Sequence, residues 1–283
     1  MSTTVAIVGA GGKMGLRAAE KIGKQPGFRT LLCESDPARA RALEGRGLAV
    51  TALAEALGEA DFVFLAVPDA LIGSIAREAE PLMKPGAMLI MLDAAAAYAG
   101  EMPAAGRIGM MITHPCHPPF FTDHPTAEER ADYFGGIAPQ DIIVCLIEGA
   151  EEKFAEGVEV CRAVFAPVLK AHRVSVEQFA FLEPAMSELV VATAAKWMRD
   201  SLDAAIEAGV PREAAAAFMA GHAQIAIAIC FGAERAPFSD AAKLAIEWGT
   251  RELIDPDWRR VFRPDVLRAA IREMIHPGAE PGN

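Results

Sequence analysis

The sequence predicts an α/β protein, a doubly wound parallel sheet covered by helices, followed by a second, all-helical domain. Three observations carry that prediction. Over the first half of the chain, short apolar runs rich in β-branched residues alternate with longer segments of helical spacing, the pattern of βαβ units. A glycine-rich turn, Gly9-Ala10-Gly11-Gly12-Lys13-Met14-Gly15, leaves the first such run and opens a helical one. Beyond Gln178 the chain becomes rich in Ala, Leu and Met at helical period, with almost no strand signal. The expected domains are therefore 1–177 and 178–283.

Taken in order, the strand runs are Thr4–Val8, Thr30–Cys33, Leu48–Val50, Phe62–Val67, Ala87–Leu92 and Ile108–Ile112. Helical spacing covers Met14–Lys24, Pro37–Glu44 and Asp69–Met83, the last stopped by the turn Lys84-Pro85-Gly86. Asp141–Leu146 and Val168–Val176 extend the sheet, with an amphipathic helix, Glu151–Val164, between them. The helical domain is expected to begin near Phe179. Its first long helix takes Pro184 as a first-turn residue, where a missing N–H costs nothing, and runs to Ala208 before Gly209-Val210-Pro211.

At 283 residues two domains are the natural expectation. The 52% hydrophobic and 23% charged composition is that of a globular protein. A formal charge of −11 speaks against nucleic acid or an anionic membrane as partner, since both reward a basic surface. The five cysteines form no C-x-x-C pair, so no disulfide framework is implied. A strand by Val5 and a glycine turn by Gly9 leave no secretory signal pattern, which makes the cytoplasm the expected location. Arg212–Phe231 is apolar enough to raise a membrane question. Arg212, Glu213, His222 and Gln224 interrupt it, and the reading adopted is a helix buried in a subunit core or interface.

The glycine turn has the context that gives such motifs meaning: a strand before, a helix after and an acid at the end of the next strand. Gly9 permits the tight turn, Gly11 lets the backbone approach a pyrophosphate and Gly15 allows close helix–strand packing, while Gly12, Lys13 and Met14 open the helix whose N-terminal N–H groups favour anions. This reads as a Rossmann dinucleotide site. Glu34, closing the second strand, is the expected ribose ligand and would repel a 2′-phosphate, so NAD is preferred to NADP. Asp36 is close enough to be the ligand instead, and Arg39 and Arg41 could serve a phosphate. Val67 and Pro68 follow the fourth strand at the sheet's carboxyl edge and join the cofactor site. Asp69 is either a helix cap or a site residue, and Asp93 ends the fifth strand.

A second constellation, Thr113-His114-Pro115-Cys116-His117-Pro118-Pro119, follows the sixth strand. His114 would emerge at the strand end facing the nicotinamide, as a general base or a metal ligand. His117 and His124 are either site residues or solvated loop residues. Cys116 and His117 lack a second pair at zinc spacing. In the helical domain Glu183 and Glu188, five apart, stand roughly 140° apart on an α-helix, and Glu188 is the one assigned to the cleft. Lys196 is either a site residue or the partner of Asp200 at i+4. His222 is either a buried histidine or a site residue contributed across a dimer.

The run Val8–Gly15, the Val67-Pro68-Asp69 strand end and the helical second domain resemble the 3-hydroxyacid and 6-phosphogluconate dehydrogenase superfamily, with prephenate dehydrogenase and ketol-acid reductoisomerase as relatives. The His114-Pro115 turn resembles that of prephenate dehydrogenases. Over nearly its whole length the chain is similar to the D-apionate oxidoisomerases. It departs from the hydroxyacid dehydrogenases, which place an asparagine four residues after the lysine, because Asp200 follows Lys196.

The closer resemblance implies NAD-dependent oxidation of a branched sugar acid, D-apionate, with migration of a hydroxymethyl group to give 3-oxo-isoapionate. Deprotonating the tertiary alcohol while polarising the carbonyl suits a divalent cation. The expected ligands are His114 and Glu188, and Lys196 is a proton-transfer group. The alternatives are an NAD-dependent 3-hydroxyacid dehydrogenase, with or without decarboxylation, and a dinucleotide-sensing regulator, which His114, Glu188 and Lys196 speak against. Apolar surface on Leu189–Ala195 and Ala214–Phe231 predicts a homodimer.

Overall fold

A computed structural model describes residues 2–278 other than Ala105 and His124, so the candidate His124 lies outside the described residues. The chain forms two units, one reaching to Ala180 and resuming at Arg268, the other Phe181–Leu267.

In the first unit β1 (Thr3–Val8), β2 (Phe28–Cys33), β3 (Phe62–Leu65), β4 (Met88–Met91), β5 (Gly109–Pro115), β6 (Gln140–Glu148) and β7 (Val168–Arg173) make one sheet, ordered β2-β1-β3-β4-β5-β6-β7. The first five strands are parallel; β6 turns antiparallel to β5, and β7 runs parallel to β6. The helices are α1 (Lys13–Ile22), α2 (Pro37–Glu44), α3 (Leu53–Glu59), α4 (Asp69–Ala79), α5 (Ala95–Tyr98), α6 (Ala127–Arg130), α7 (Glu151–Val164) and α8 (Val176–Ala180).

Strands covered on both faces should be apolar throughout. Phe62-Val63-Phe64-Leu65 and Met88-Leu89-Ile90-Met91 meet that requirement, every residue buried. Alternation then sorts them: Val63, Leu65, Leu89 and Met91 face α3, α4, α5 and α8, while Phe62, Phe64, Met88 and Ile90 face α1, α2 and α7. Each fully buried side chain of this size contributes about 2 kcal/mol by transfer from water. Two packed layers therefore hold the strand ends, and with them the site, in fixed register.

Several expected elements are corrected. Leu48–Val50 is no strand: after the turn at Gly47 it makes one isolated bridge, Leu32 to Val50, beside which the Thr51 N–H donates to the Leu32 carbonyl. The strand read as Phe62–Val67 stops at Leu65, and that read as Val168–Val176 at Arg173. The helical region does not begin with Pro184 in a first turn. Helix starts at Val176 and becomes π-helical over Phe181–Ala192, with Pro184 inside it. The wider i→i+5 turn tolerates the missing donor, and Ser187 Oγ bonds the Glu183 carbonyl.

The second unit continues through α9 (Thr193–Glu207), α10 (Arg212–Cys230), α11 (Asp240–Leu253) and the start of α12 (Pro264–Ile275). The expected division at 178–283 therefore differs at the C-terminal end. There Ile271 and Ile275 are buried, Arg268 Nη1 donates to the Tyr98 carbonyl at 3.2 Å, and His276 Nε2 meets Glu101 Oε1 at 2.6 Å. By length and composition α10 could cross a membrane. Of the two placements expected for this helix, a subunit core or an interface, the core within one chain is ruled out, because Ala215 is its one buried residue.

Candidate active site

Because β1 to β5 are parallel, their carboxyl ends share one edge of the sheet, and each leads into a residue with chemistry. Along that edge stand Glu34 after β2, Gly9 after β1, Val67, Pro68 and Asp69 after β3, Asp93 after β4, and His114 within the end of β5. The chain reverses its direction of strand addition between β1 and β3, the crevice where open α/β sheets bind ligands. From β1 to β5 is three strand spacings, roughly 14 Å.

The turn after β1 is built for backbone approach. Gly9 has φ +80°, and a Cβ there would lie 2.5 Å from the Ala66 carbonyl oxygen. A Cβ on Gly15 would lie 2.1 Å from the Gly9 carbonyl oxygen. The Gly9 and Ala10 N–H groups both donate to the Cys33 carbonyl, tying the loop to β2. Gly12 is the N-cap of α1 and brings no side-chain cap, so first-turn donors remain for an anion. Lys13 Nζ stands 3.4 Å over the Phe134 ring. Met14 is half-buried against the α1 side of the core.

Glu34 faces this loop. Its carboxylate accepts the Gly11 N–H at 2.8 Å and the Asp36 N–H at 2.9 Å. Asp36, the alternative ligand, caps α2 instead, accepting from Ala38 and Arg39. Beside Glu34 lies a cleft of about 300 Å³ whose walls include Leu53, Val67, Ile75 and Ala79. Apolar side chains and the Glu34 carboxylate line it together. Thr51 also lines it; no motif in the sequence marks Thr51 or Leu53 for this place, whereas the helical spacing of α4 could have pointed to Ile75 and Ala79. Pro68 is the N-cap of α4, and Asp69, its first residue, makes no cap bond.

At the far end three titratable groups meet. Asp93 is 7% exposed and accepts the Ala95 N–H at 2.5 Å. Burial above all, then the neighbouring Asp69, pushes its carboxyl up to about 6, against the pull of the Ala95 N–H and of His114. Desolvation likewise raises Asp69, with His114 opposing. His114 Nδ1 lies 2.9 Å from the Leu92 carbonyl. A carbonyl can only accept, so Nδ1 carries the proton and, in the neutral ring, Nε2 the lone pair. His117 stands edge-on to His114, ring centroids 6.2 Å apart. Burial, together with His114, Arg17 and Lys13, lowers its pKa despite the Phe134 carbonyl it bonds.

The helical-unit candidates are placed differently. Glu188 is exposed on the π-helical stretch, whose wider turn brings residues five apart toward one face, so the 140° separation from half-buried Glu183 does not hold. Lys196 is exposed and pairs with Asp200 at 2.6 Å. His222 is exposed, stacked on Phe218 at 3.7 Å. Among the described residues no three His, Cys, Asp or Glu side chains cluster as metal donors. Cys116 is exposed, while Cys33, Cys145 and Cys161 are buried with their thiols pushed up by burial, to about 11, 11 and 12.

Comparison with known proteins agrees with this geometry. The family model for the C-terminal region of decarboxylating phosphogluconate dehydrogenase matches residues 122–275. The D-apionate oxidoisomerase of Rhizobium rhizogenes is 41% identical over 96% of this chain and 99% of its own. That of Blautia hydrogenotrophica is 41% identical over 96% of each. Among solved structures, a semialdehyde dehydrogenase NAD-binding protein from Cupriavidus necator, in complex with calcium and NAD, superposes with a TM-score of 0.93 at 40% identity, covering 97% of this chain and 100% of that one. An NADH-preferring ketol-acid reductoisomerase from an uncultured archaeon shares the fold, with a TM-score of 0.64 at 17% identity over 96% of this chain and 82% of its own. With the glycine turn, the Glu34 carboxylate and the His114 strand end aligned on one sheet edge, and relatives matched over nearly the whole chain, this protein belongs to the D-apionate oxidoisomerase family.

Proposed function

We propose that the chain converts D-apionate and NAD to 3-oxo-isoapionate, NADH and a proton. The observation that carries the reading is the sheet edge itself, with a dinucleotide cleft at β1–β3 and an acid–base cluster of Asp69, Asp93 and His114 at β3–β5. The Rhizobium and Blautia relatives name the substrate, and the Cupriavidus protein binds NAD. The carbinol carbon next to the carboxylate gives up a hydride and its hydroxyl gives up a proton, leaving a 2-oxo acid. With no cation bound, His114 Nε2 is the acceptor for that proton. The tertiary hydroxyl then loses its proton as the hydroxymethyl group migrates, with its bonding electrons, to the new carbonyl carbon. The oxygen on that carbon takes up a proton.

A divalent cation, if bound, would supply Lewis-acid chemistry that polarises the carbonyl and acidifies the alcohol. Glu188 and His114 Nε2, the nitrogen left by the bond to Leu92, fit such an ion by donor chemistry and are proposed as ligands; with the cation on it His114 no longer takes the carbinol proton, which passes to Lys196 as the proton-transfer group. The same reading includes a cytoplasmic homodimer with no nucleic-acid or membrane partner. It is supported by the acidic charge and by the apolar residues that α9, α10 and α11 leave exposed.

The test is to incubate the protein with NAD and D-apionate, with and without a chelator, following NADH absorbance and the carbon skeleton of the product by NMR. A rearranged product is expected. An unrearranged or decarboxylated skeleton would replace this reading with a plain hydroxyacid dehydrogenase, and NAD binding with no turnover of any aldonate with a regulator. Metal content by mass spectrometry should fall in His114→Ala and Glu188→Gln; unchanged content in both sinks the ligand assignment.

A further inference from the structure

One histidine that the sequence leaves open as a site or loop residue is held in a conformation its side chain does not favour. His117 has φ +61°, alone among the described non-glycine residues in the left-handed region. Such strain persists only where surrounding contacts over-determine it, and it collects at functional sites. Here the contacts are specific. His117 Nδ1 lies 3.0 Å from the Phe134 carbonyl, and that same carbonyl accepts from Arg17 Nη1 at 3.1 Å. The Phe134 ring tilts against His117, centroids 5.2 Å apart, and lies under Lys13 and beside Arg17. Arg17 is in turn set between Phe134 and Phe165, its guanidinium 5.6 Å from each ring.

The Phe134 carbonyl therefore links α1, the helix opened by the glycine turn, to the histidine turn after β5. We propose that His117 is a second imidazole of the site, presenting Nε2 as an acceptor to a substrate hydroxyl. Arg17, through the Phe134 carbonyl, is the positioning residue that fixes its tautomer and aim. The logic is the one that applies to His114: a carbonyl partner forces the proton onto Nδ1 and the lone pair onto Nε2. The two rings stand edge to face, centroids 6.2 Å apart, so two imidazoles of the same tautomer are neighbours at one strand end. A substrate with hydroxyls on adjacent carbons is the class that uses such a pair. In this respect the inference rests on the proposed reaction, whose carbinol and tertiary hydroxyls are neighbours.

The experiment reads the tautomer separately from the chemistry. Long-range proton–nitrogen NMR of the full-length protein should show His117 with its proton on Nδ1. Arg17→Met should shift it toward the Nε2-protonated form and leave His114, which bonds Leu92, as it was. Arg17→Lys, which keeps a donor and a charge, should lie between, and serves in place of the Met variant if that one folds poorly. With D-apionate, His117→Ala and Arg17→Met should each lower kcat by roughly tenfold or more while the KM for NAD stays within about twofold of the parent. An unchanged His117 tautomer in both Arg17 variants overturns the positioning role, and an unchanged kcat in His117→Ala overturns the site role. Absence of turnover in the parent protein would instead count against the apionate reading; a tautomer shift in the Arg17 variants would still support the positioning role.

Discussion

Gly15 has no room for a side chain: a Cβ there meets two backbone groups, the Gly9 carbonyl at 2.1 Å and the Ala10 Cα at 2.7 Å. Backbone cannot rotate aside as a side chain can. Gly15→Ala should therefore push the glycine turn away from α1, costing about 1–3 kcal/mol of stability as overpacking does and weakening NADH binding by at least roughly tenfold. Thermal melting and an NADH fluorescence titration would check both; unaltered binding would mean the turn does not seat the pyrophosphate. In the proposed NAD site Glu34 acts by charge as well as by shape. Its carboxylate sits 2.8 Å from the Gly11 N–H, where a 2′-phosphate would meet like charge, a juxtaposition costing several kcal/mol. Glu34→Gln keeps the outline and removes the charge. Its ratio of kcat/KM for NADP to that for NAD should rise by about tenfold or more, and an unmoved ratio would take the discrimination away from Glu34.

At the scale of elements, the connection from β5 to β6 is fixed by one carboxylate. Asp132 accepts N–H bonds from Gly135, Ile137 and Ala138 at 2.9, 2.7 and 2.9 Å. Burial by itself would raise its pKa, but those three bonds and the Arg17 charge outweigh burial and hold it below the ordinary value. A depressed folded pKa means stability that is present in full above the unfolded value, about 4, and lost as pH falls through the folded one. The protection factors of the Ile137 and Ala138 amides, exchange rates taken relative to the intrinsic rate at each pH, should thus be high near neutrality and fall in acid. Asp132→Asn should show the acid behaviour at all pH values; equal protection in both proteins at neutral pH would refute the assignment. The same segment shows what a sequence can and cannot disclose. α2 and α7 begin and end where their spacing and turn residues predict, and the glycine turn is legible because all its parts are local. For His117 the sequence offers a site residue or a solvated loop residue and cannot choose, since its contacts are with Phe134 and, through that carbonyl, Arg17, brought near only by the fold. Asp93 could be placed at the carboxyl edge from sequence, but its raised pKa depends on the β3-β4-β5 neighbours of the finished sheet. The antiparallel turn of β6 likewise follows from pairing, which periodicity does not encode.

For the whole molecule the unresolved account is apolar surface. The described residues of α9 and α11 include none that is buried, and Trp197, Phe218, Leu244, Trp248 and Leu253 are 48%, 67%, 67%, 56% and 60% exposed. Single exposed apolar residues need no explanation, whereas several large ones on adjoining helices mark an association surface. The net charge of −11 repels copies at long range but is screened beyond about 8 Å at physiological salt, so it does not prevent contact through an apolar face. In the proposed homodimer these helices cover one another across a twofold axis, which pairs the same patch with itself. Light scattering at micromolar concentration should then give twice the mass of the chain, and the melting temperature should rise with protein concentration because folding and association are linked. Placing charges on the face, Trp248→Glu with Leu253→Glu, should yield monomers whose melting temperature no longer depends on concentration. A parent protein that scatters as a monomer would refute the homodimer and leave the α9–α11 face to some other partner.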